Sequence, residues 1–475
     1  MIRTAFAATA LLLAAPAASP AFGQSQQQAL DARYDRALAA GYKALMLCSA
    51  IAIAERNGGA RTAESVAAWE LTGIQAPLDA IVGELPYEVV RRPTGEVAHV
   101  AVRWADDSPA RIAAYFGPDT GCSTLPIGAP DSGSNTRQPL PTSAETTEKV
   151  IASGVIPRSE GGKVPPPPPL AKVLGAAVAG EYGEGTRTTA ALVRLKGDGN
   201  GLVERANYTP GFDPKTPQRT WSVAKSIAAT LVGAAVHQGE ASVDDPVGLN
   251  YWRRGGDSDP RNAITIDHAL RMATGRYSDT PGNRTDPLYF GGSTVDETAT
   301  GWPVLHAPGT VFRYANNDTL MAVKAIGQWL NFYPPHEFFA KLGMEHTVAE
   351  TDIRGDYILS SQVWSTAGDL AKLGELYLND GKLPSGERIL PEGWVQYVST
   401  PSGPQPDGPF GYGAGFWLLN NSEGVPPDTF AAFGNRGQYV VIVPSRNVVI
   451  VRRGEDPVGS RFDIAAFTRD VLAAL

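Results

Sequence analysis

Between Ser222 and Gly239 the chain carries one formally charged residue, Lys225. Val223, Ile227, Leu231 and Ala235 form one stripe at helical spacing, and Ala224, Ala228, Val232 and Val236 form the next. A helix apolar all round belongs inside a protein, so any fold open to this chain must wrap it. A lone lysine there is costly unless it is paired or used. Positions three apart share a helix face, which brings Lys225 to the Ser222 hydroxyl. Burial lowers a lysine's pKa and frees its amine to act as a base. A serine at the helix start feels the positive end of the dipole, which favours an alkoxide. The bland alternative is a serine cap followed by a snorkelling lysine. Ser-x-x-Lys alone arises by chance about once in a chain this long, so its surroundings must carry the argument.

The chain has 475 residues, enough to bury a large core and to form about two or three domains. A formal charge of −8 leaves no footprint for nucleic acid or for an anionic membrane surface. Residues 1–23 read as a signal peptide: Arg3 starts it, Ala5 to Ala15 form the apolar stretch, and Ala21-Phe22-Gly23 fits the cleavage pattern. No later apolar run is expected to span a bilayer, so the mature protein is expected in the periplasm or secreted, with no membrane anchor. In that oxidising compartment Cys48 and Cys122, the only two cysteines, are expected to pair. Two separate buried thiols are the alternative.

Residues 24–145 read as a small α+β region. Leu30–Arg56 has helical spacing, and Tyr87–Arg92, Glu96–Trp104 and Ala110–Tyr115 alternate like strands of a meander. Residues 146–169 form a linker ending in five prolines, expected to be extended. Residues 170–475 then open with a hairpin, Thr188–Leu195 and Leu202–Tyr208, turning at Asp198–Gly201. Helical patterns follow at 222–238, 316–330 and 366–378, then strands at Gln438–Val443 and Val448–Arg453 and a closing helix from Asp463. Strands at both ends with helices between give an α/β (α+β) fold. Its one mainly antiparallel sheet has its first and last strands adjacent and helices flanking it.

Around the serine the chain reads Gly211-Phe212-Asp213-Pro214-Lys215-Thr216-Pro217 and Trp221-Ser222-Val223-Ala224-Lys225-Ser226. Further on come Phe312-Arg313-Tyr314-Ala315-Asn316-Asn317, Trp364-Ser365-Thr366-Ala367-Gly368-Asp369-Leu370 and Gly411-Tyr412-Gly413-Ala414-Gly415. Over residues 170–475 this resembles the class C β-lactamase-like, penicillin-recognising serine hydrolases, especially the branch with 6-aminohexanoate-dimer hydrolases. The resemblance implies a β-lactamase/transpeptidase-like fold with Ser222 as nucleophile and Lys225 as base. Tyr314 would share the proton transfer, and Asn316 would hydrogen-bond the substrate or the lysine. The third element of that family, Lys-Thr-Gly or His-x-Gly on an edge strand, departs here to Phe433-Gly434-Asn435-Arg436-Gly437-Gln438. Asn435, Arg436, Gly437 and Gln438 are expected to line the substrate. The N–H of Gln438 is expected to join that of Ser222 in an oxyanion hole. Arg436 offers a charge in place of the family's lysine, but on a strand its side chain is expected to point to the opposite face from its neighbours. Linear amides or short esters are therefore expected to be better substrates than β-lactams. A glycine-rich turn into a strand is the plainer alternative.

The second Tyr-x-Asn, Tyr377-Leu378-Asn379, reads as a helix stop. His306 and His346 read as surface or packing residues. Two cysteines and six scattered histidines offer no metal constellation, and the acyl chemistry needs no cofactor. The expected partner is a small amide or ester, cleaved through an acyl-enzyme. The rivals are a β-lactamase, a D-aminoacyl peptidase and a non-catalytic sensor of peptidoglycan-like ligands.

Overall fold

The computed structural model describes residues 20–130, 168–196, 202–278 and 285–475. Most of the export segment, most of the linker and the turn at Asp198–Gly201 lie outside them. Of the five prolines expected to be extended, Pro168 and Pro169 instead begin helix α2 (Pro168–Val178), since a first helical turn has no use for the missing N–H.

Helix α1 (Pro20–Arg56) is buried without a break from Ala37 to Ala54. Against expectation, its Gln24–Arg56 stretch is long and apolar enough to cross a membrane, but the apolar window is wholly buried in protein. The meander packs on it: β1 (Tyr87–Arg91), β2 (Val97–Val102), β3 (Arg111–Tyr115) and β4 (Cys122–Thr124), paired antiparallel in that order. A disulfide joins Cys48 on α1 to Cys122 on β4, with α-carbons 6.2 Å apart.

The large sheet runs β10-β11-β12-β13-β14-β5-β6, all antiparallel. Its strands are β5 (Thr188–Lys196), β6 (Leu202–Tyr208), β10 (Gly411–Tyr412), β11 (Trp417–Leu418), β12 (Phe430–Gly434), β13 (Gln438–Val443) and β14 (Val448–Gly454). The last strand, β14, pairs with the first, β5, as the alternation at both ends suggests. Period-two patterning sorts the sheet's side chains onto two faces. Leu192, Ala432, Val440, Val449 and Val451 meet α3 (Val223–His237) and α6 (Ala367–Leu378). Val193, Ala431, Val441, Val448 and Ile450 meet α2 and α7 (Ile464–Ala473). Helix α3 therefore lies inside the molecule, with Val223–Ala235 buried throughout. The helix expected over 316–330 is broken at Ile326, just before Gly327, into α5 (Asn316–Ala325) and a short helix at Gly327–Phe332.

Helix α1 shares its core with residues far along the chain, among them Trp221, Trp252, Phe290, Leu320 and Trp364. Buried Glu350 fastens the two sides. Its carboxylate accepts from the Ser49 hydroxyl at 2.6 Å, the Cys122 N–H at 2.9 Å and the Trp364 indole at 3.1 Å. Desolvation still pushes this carboxyl up to about 7. Replacing Cys48 and Cys122 together by alanine is expected to cost about 2–5 kcal/mol in a denaturant titration while leaving the fold in place. Unreduced, denatured wild-type protein should show no free thiol in a thiol assay.

Candidate functional site

A short strand, β7 (Gln218–Arg219), pairs with β9 (Val363–Ser365), which also pairs with β8 (Val348–Ala349). It leads straight into α3, and the Thr220 N–H donates to Val363 O at 2.7 Å. The next residue, Trp221, has φ +50, in the left-handed region that bulky residues avoid. Such strain persists only where the surroundings enforce it. Here Trp221 is buried and lies 4.0 Å beneath the Arg219 guanidinium. The turn delivers Ser222 to the start of α3 in helical conformation, making no side-chain cap. The plain reading of Ser222 as a capping residue is therefore not realised.

Lys225 is 1% exposed. Its Nζ lies 2.8 Å from Ser222 Oγ, 2.7 Å from Asn316 Oδ1 and 2.8 Å from Ser360 O, all at hydrogen-bond distance. None of these partners carries a charge. Desolvation, and then the positive charge of Arg219, hold the Lys225 pKa well below that of a free lysine. The Asn316 amide is oriented from its other end, where Nδ2 donates to Thr285 Oγ1 at 3.1 Å. Tyr314 completes the group, with Lys225 Nζ 5.0 Å from its ring centroid. Burial pushes the Tyr314 phenol up to about 12, against hydrogen bonds with Ser222 and Trp417 that pull it down. The structure thus brings Ser222, Lys225, Tyr314 and Asn316 together. Tyr314 also packs on Trp417 and Tyr412, at ring distances of 5.4 and 6.1 Å.

The strand motif is arranged otherwise than expected. Arg436 is buried and spent on structure: Nε donates to Glu455 at 2.7 Å, and its other nitrogens donate to Trp69 O, Thr72 O and Gly73 O. Gly437 has no room for a ligand, since a Cβ there would stand 1.6 Å from the Arg452 guanidinium. Gln438 is fully buried, paired with Gly434 across the ladder, and its side chain bonds Arg453 and Gly454. The turn after β12 is thus packed away from the site, Arg436 onto the segment Trp69–Gly73 and Gly437 and Gln438 onto the end of β14. What reaches Ser222 is Gly434, where a Cβ would lie 3.2 Å from Ser222 N and 2.4 Å from Thr220 O. Asn435 is exposed beside it, with Oδ1 accepting from the Arg436 N–H. The mapping slipped by a few residues because a glycine-rich turn carries no periodicity to set its register.

Tyr377 lies elsewhere. It is buried with its hydroxyl 2.8 Å from Thr230 Oγ1, and α6 ends at the following residue. His306 is exposed in a loop, and the backbone of His346 is tied to Asp369. Sequence reasoning missed Ser360, Gly434, Thr285 and Arg219. Ser360 and Thr285 act through a carbonyl and a hydroxyl that the fold alone brings in. Arg219, three residues before the serine, did offer a signal: a second cation entering an apolar element. Among the described residues no group of three or more His, Cys, Asp or Glu side chains could hold a metal ion.

Residues 169–473 match the family model described as Beta-lactamase. The chain belongs to the β-lactamase family. Among its relatives is the 6-aminohexanoate-dimer hydrolase of Paenarthrobacter ureafaciens, 24% identical over 284 residues, 53% of this chain and 69% of that protein. A solved structure named for a 6-aminohexanoate-dimer hydrolase of Bacillus anthracis is similar at TM-score 0.52 and 20% identity, over 63% of this chain and 80% of that one. A β-lactamase structure from Mycobacterium bovis covers 63% of this chain and 97% of its own, at TM-score 0.45 and 19% identity. At 20% identity the likeness to the Bacillus structure is one of fold.

Because Arg436 braces the turn beside Gly434, Arg436→Met should be felt in stability first. It leaves Glu455 buried and unpaired, at a cost of about 3–5 kcal/mol by urea unfolding. Arg436→Lys should recover only part of that, having one point charge for several fixed acceptors.

Proposed function

We propose that this chain is an exported serine hydrolase that cleaves small linear amides or short esters through an acyl-enzyme on Ser222. The carrying observation is the set of partners around Lys225 Nζ. A neutral amine has two protons and one lone pair. Two partners, Asn316 Oδ1 and Ser360 O, can only accept, and the third is a hydroxyl. The neutral lysine thus satisfies all three contacts by donating to the carbonyls and accepting the Ser222 O–H, which is the geometry of a general base. Burial beside a second cation supports the neutral form.

In this reading Ser222 Oγ attacks the substrate carbonyl as its proton passes to Lys225. The developing oxyanion sits between the Ser222 N–H and the backbone at Gly434–Asn435. Tyr314, whose phenol stays protonated at neutral pH, passes a proton to the leaving amine or alkoxide and is recharged from Lys225. Water then reverses the sequence and frees the acid. Export is supported by the apolar start of the chain and by the Cys48–Cys122 disulfide.

The substrate reading rests on what flanks Ser222. The inward-facing residues at the end of β12 are Ala432 and Gly434, and Arg436 in the turn that follows is turned away to Glu455. Neither supplies a cation for the carboxylate of a β-lactam. The wall beside Tyr314 is aromatic: Phe312, Tyr412 and Trp417 pack edge to face. An uncharged, extended acyl group suits that wall, and the relative in Paenarthrobacter is named for a linear amide substrate.

Ser222→Ala should abolish turnover, and Lys225→Ala should be nearly as damaging, because the two act as a unit. Tyr314→Phe should lower kcat by orders of magnitude. Tyr377→Phe should leave the rate alone and cost about 1 kcal/mol of stability through its lost bond to Thr230. The deciding measurement is kcat/KM on a p-nitrophenyl short-chain ester, an aminohexanoate dimer and a chromogenic cephalosporin. The first two should exceed the third. A cephalosporin value well above both would make the protein a β-lactamase, and one acylation without turnover would make it a sensor.

A further inference from the structure

Arg219 is a buried cation the mechanism above leaves unused. It is 1% exposed, and Nη2 donates to Ser361 Oγ at 2.9 Å. Among the described residues its Nε and Nη1 meet no hydrogen-bond partner. The guanidinium is enclosed by rings instead: Trp221 at 4.0 Å, Tyr289 at 5.4 Å and Phe290 at 5.6 Å. A buried charge with two idle donors is expensive, and cation–π contacts offset only part of the cost. An apolar residue would fill this space at less expense, so a use for the charge is worth seeking.

Its neighbours supply one. Ser361 follows Ser360, whose carbonyl holds Lys225 Nζ and whose hydroxyl lies 2.7 Å from the Tyr289 hydroxyl. Arg219 and Lys225 therefore grip one dipeptide, Ser360–Ser361, from two elements, β7 and α3. Arg219 also lies on the strained Trp221 that delivers Ser222. We propose that Arg219 is a positioning residue for the Ser222–Lys225 pair: it fixes the Ser360–Ser361 dipeptide that aims the amine and sets a permanent positive charge behind it. The proposal rests on the reading of Lys225 as the base.

The other ionisable groups around the pair leave that task to Arg219. Tyr314, Tyr289 and Tyr412 are phenols raised by burial, and Tyr289 lends its hydroxyl to Ser360. Asp318 on α5 is ion-paired with Arg276 at 2.9 Å. Glu350 is held by its three donors, and Asp286, ahead of Tyr289, is raised to about 6 by its own desolvation. Of the charges in this shell, the one acting on Lys225 is Arg219. Like charges in a low-dielectric interior disfavour each other's protonation, so a fixed guanidinium keeps the amine free at lower pH.

The test is the pH dependence of Ser222 acylation by a fluorophosphonate, read beside kcat and KM on a p-nitrophenyl short-chain ester. Wild type should lose reactivity as pH falls and Lys225 gains its proton. In Arg219→Gln, which keeps a donor for Ser361 but no charge, that acid limb should move up by about one pH unit, a roughly tenfold slower reaction below it. KM should change little. Arg219→Met, which fills the apolar surroundings with neither charge nor donor, should move the limb the same way. Thermal melts establish that each variant is folded, and either can be read alone if the other is not. A wild-type limb in folded Arg219→Gln or folded Arg219→Met would overturn the proposal. Wild-type labelling that survives Ser222→Ala would overturn the functional reading instead, which keeps the two failures apart.

Discussion

A primary amine held away from water among neutral oxygens is the constraint on which this molecule turns. Among the described residues Lys225 has no carboxylate partner, so its charge is penalised by everything that makes the interior stable. In the reading proposed above, the same apolar stripes that drive α3 into the core also set the chemistry at its first turn. Softening that helix with polar residues would admit water and return the lysine toward its ordinary pKa. On that reading stability and reactivity are coupled through one desolvated helix rather than traded against each other.

The three oxygens around one nitrogen come from separate elements, and the site is braced from behind at three places. Asn316 starts α5 and is turned by Thr285. Ser360 precedes β9, whose Trp364 hangs on Glu350. The end of β12 is bent over Ser222 by Arg436, which draws on carbonyls of the segment around Trp69–Gly73. Two of these three braces lead into the first part of the chain. The region before residue 130 is thus less an attached module than a back plate against which the site is tightened.

Much of this was readable from the residues alone. Periodicity located α3, the hairpin, the last two strands and the closing helix, because each buries one face in a regular pattern. Ser222 and Lys225 could be singled out because local chemistry marks them, an isolated charge in an apolar helix one turn from a serine, whereas Tyr314 was implied by the resemblance of Phe312–Asn317 to the family's Tyr-x-Asn. Arg436–Gln438 could not be assigned correctly. Whether Arg436 faces a substrate or Glu455 is decided by a residue some way along the chain and by carbonyls hundreds of residues earlier. The same holds for Ser360, a backbone oxygen with no sequence signature. The break at Ile326 was also invisible, since the apolar spacing runs on through it.

The burial of α1 has a consequence for how the molecule is made. Ser49 meets Glu350 across 301 residues, and the helix core closes only with Trp221, Leu320 and Trp364 in place. The meander can cover one face of α1 early, while the face toward Trp221, Leu320 and Trp364 waits for residues far along the chain. Contacts of such sequence separation are expected to slow the closing of this core.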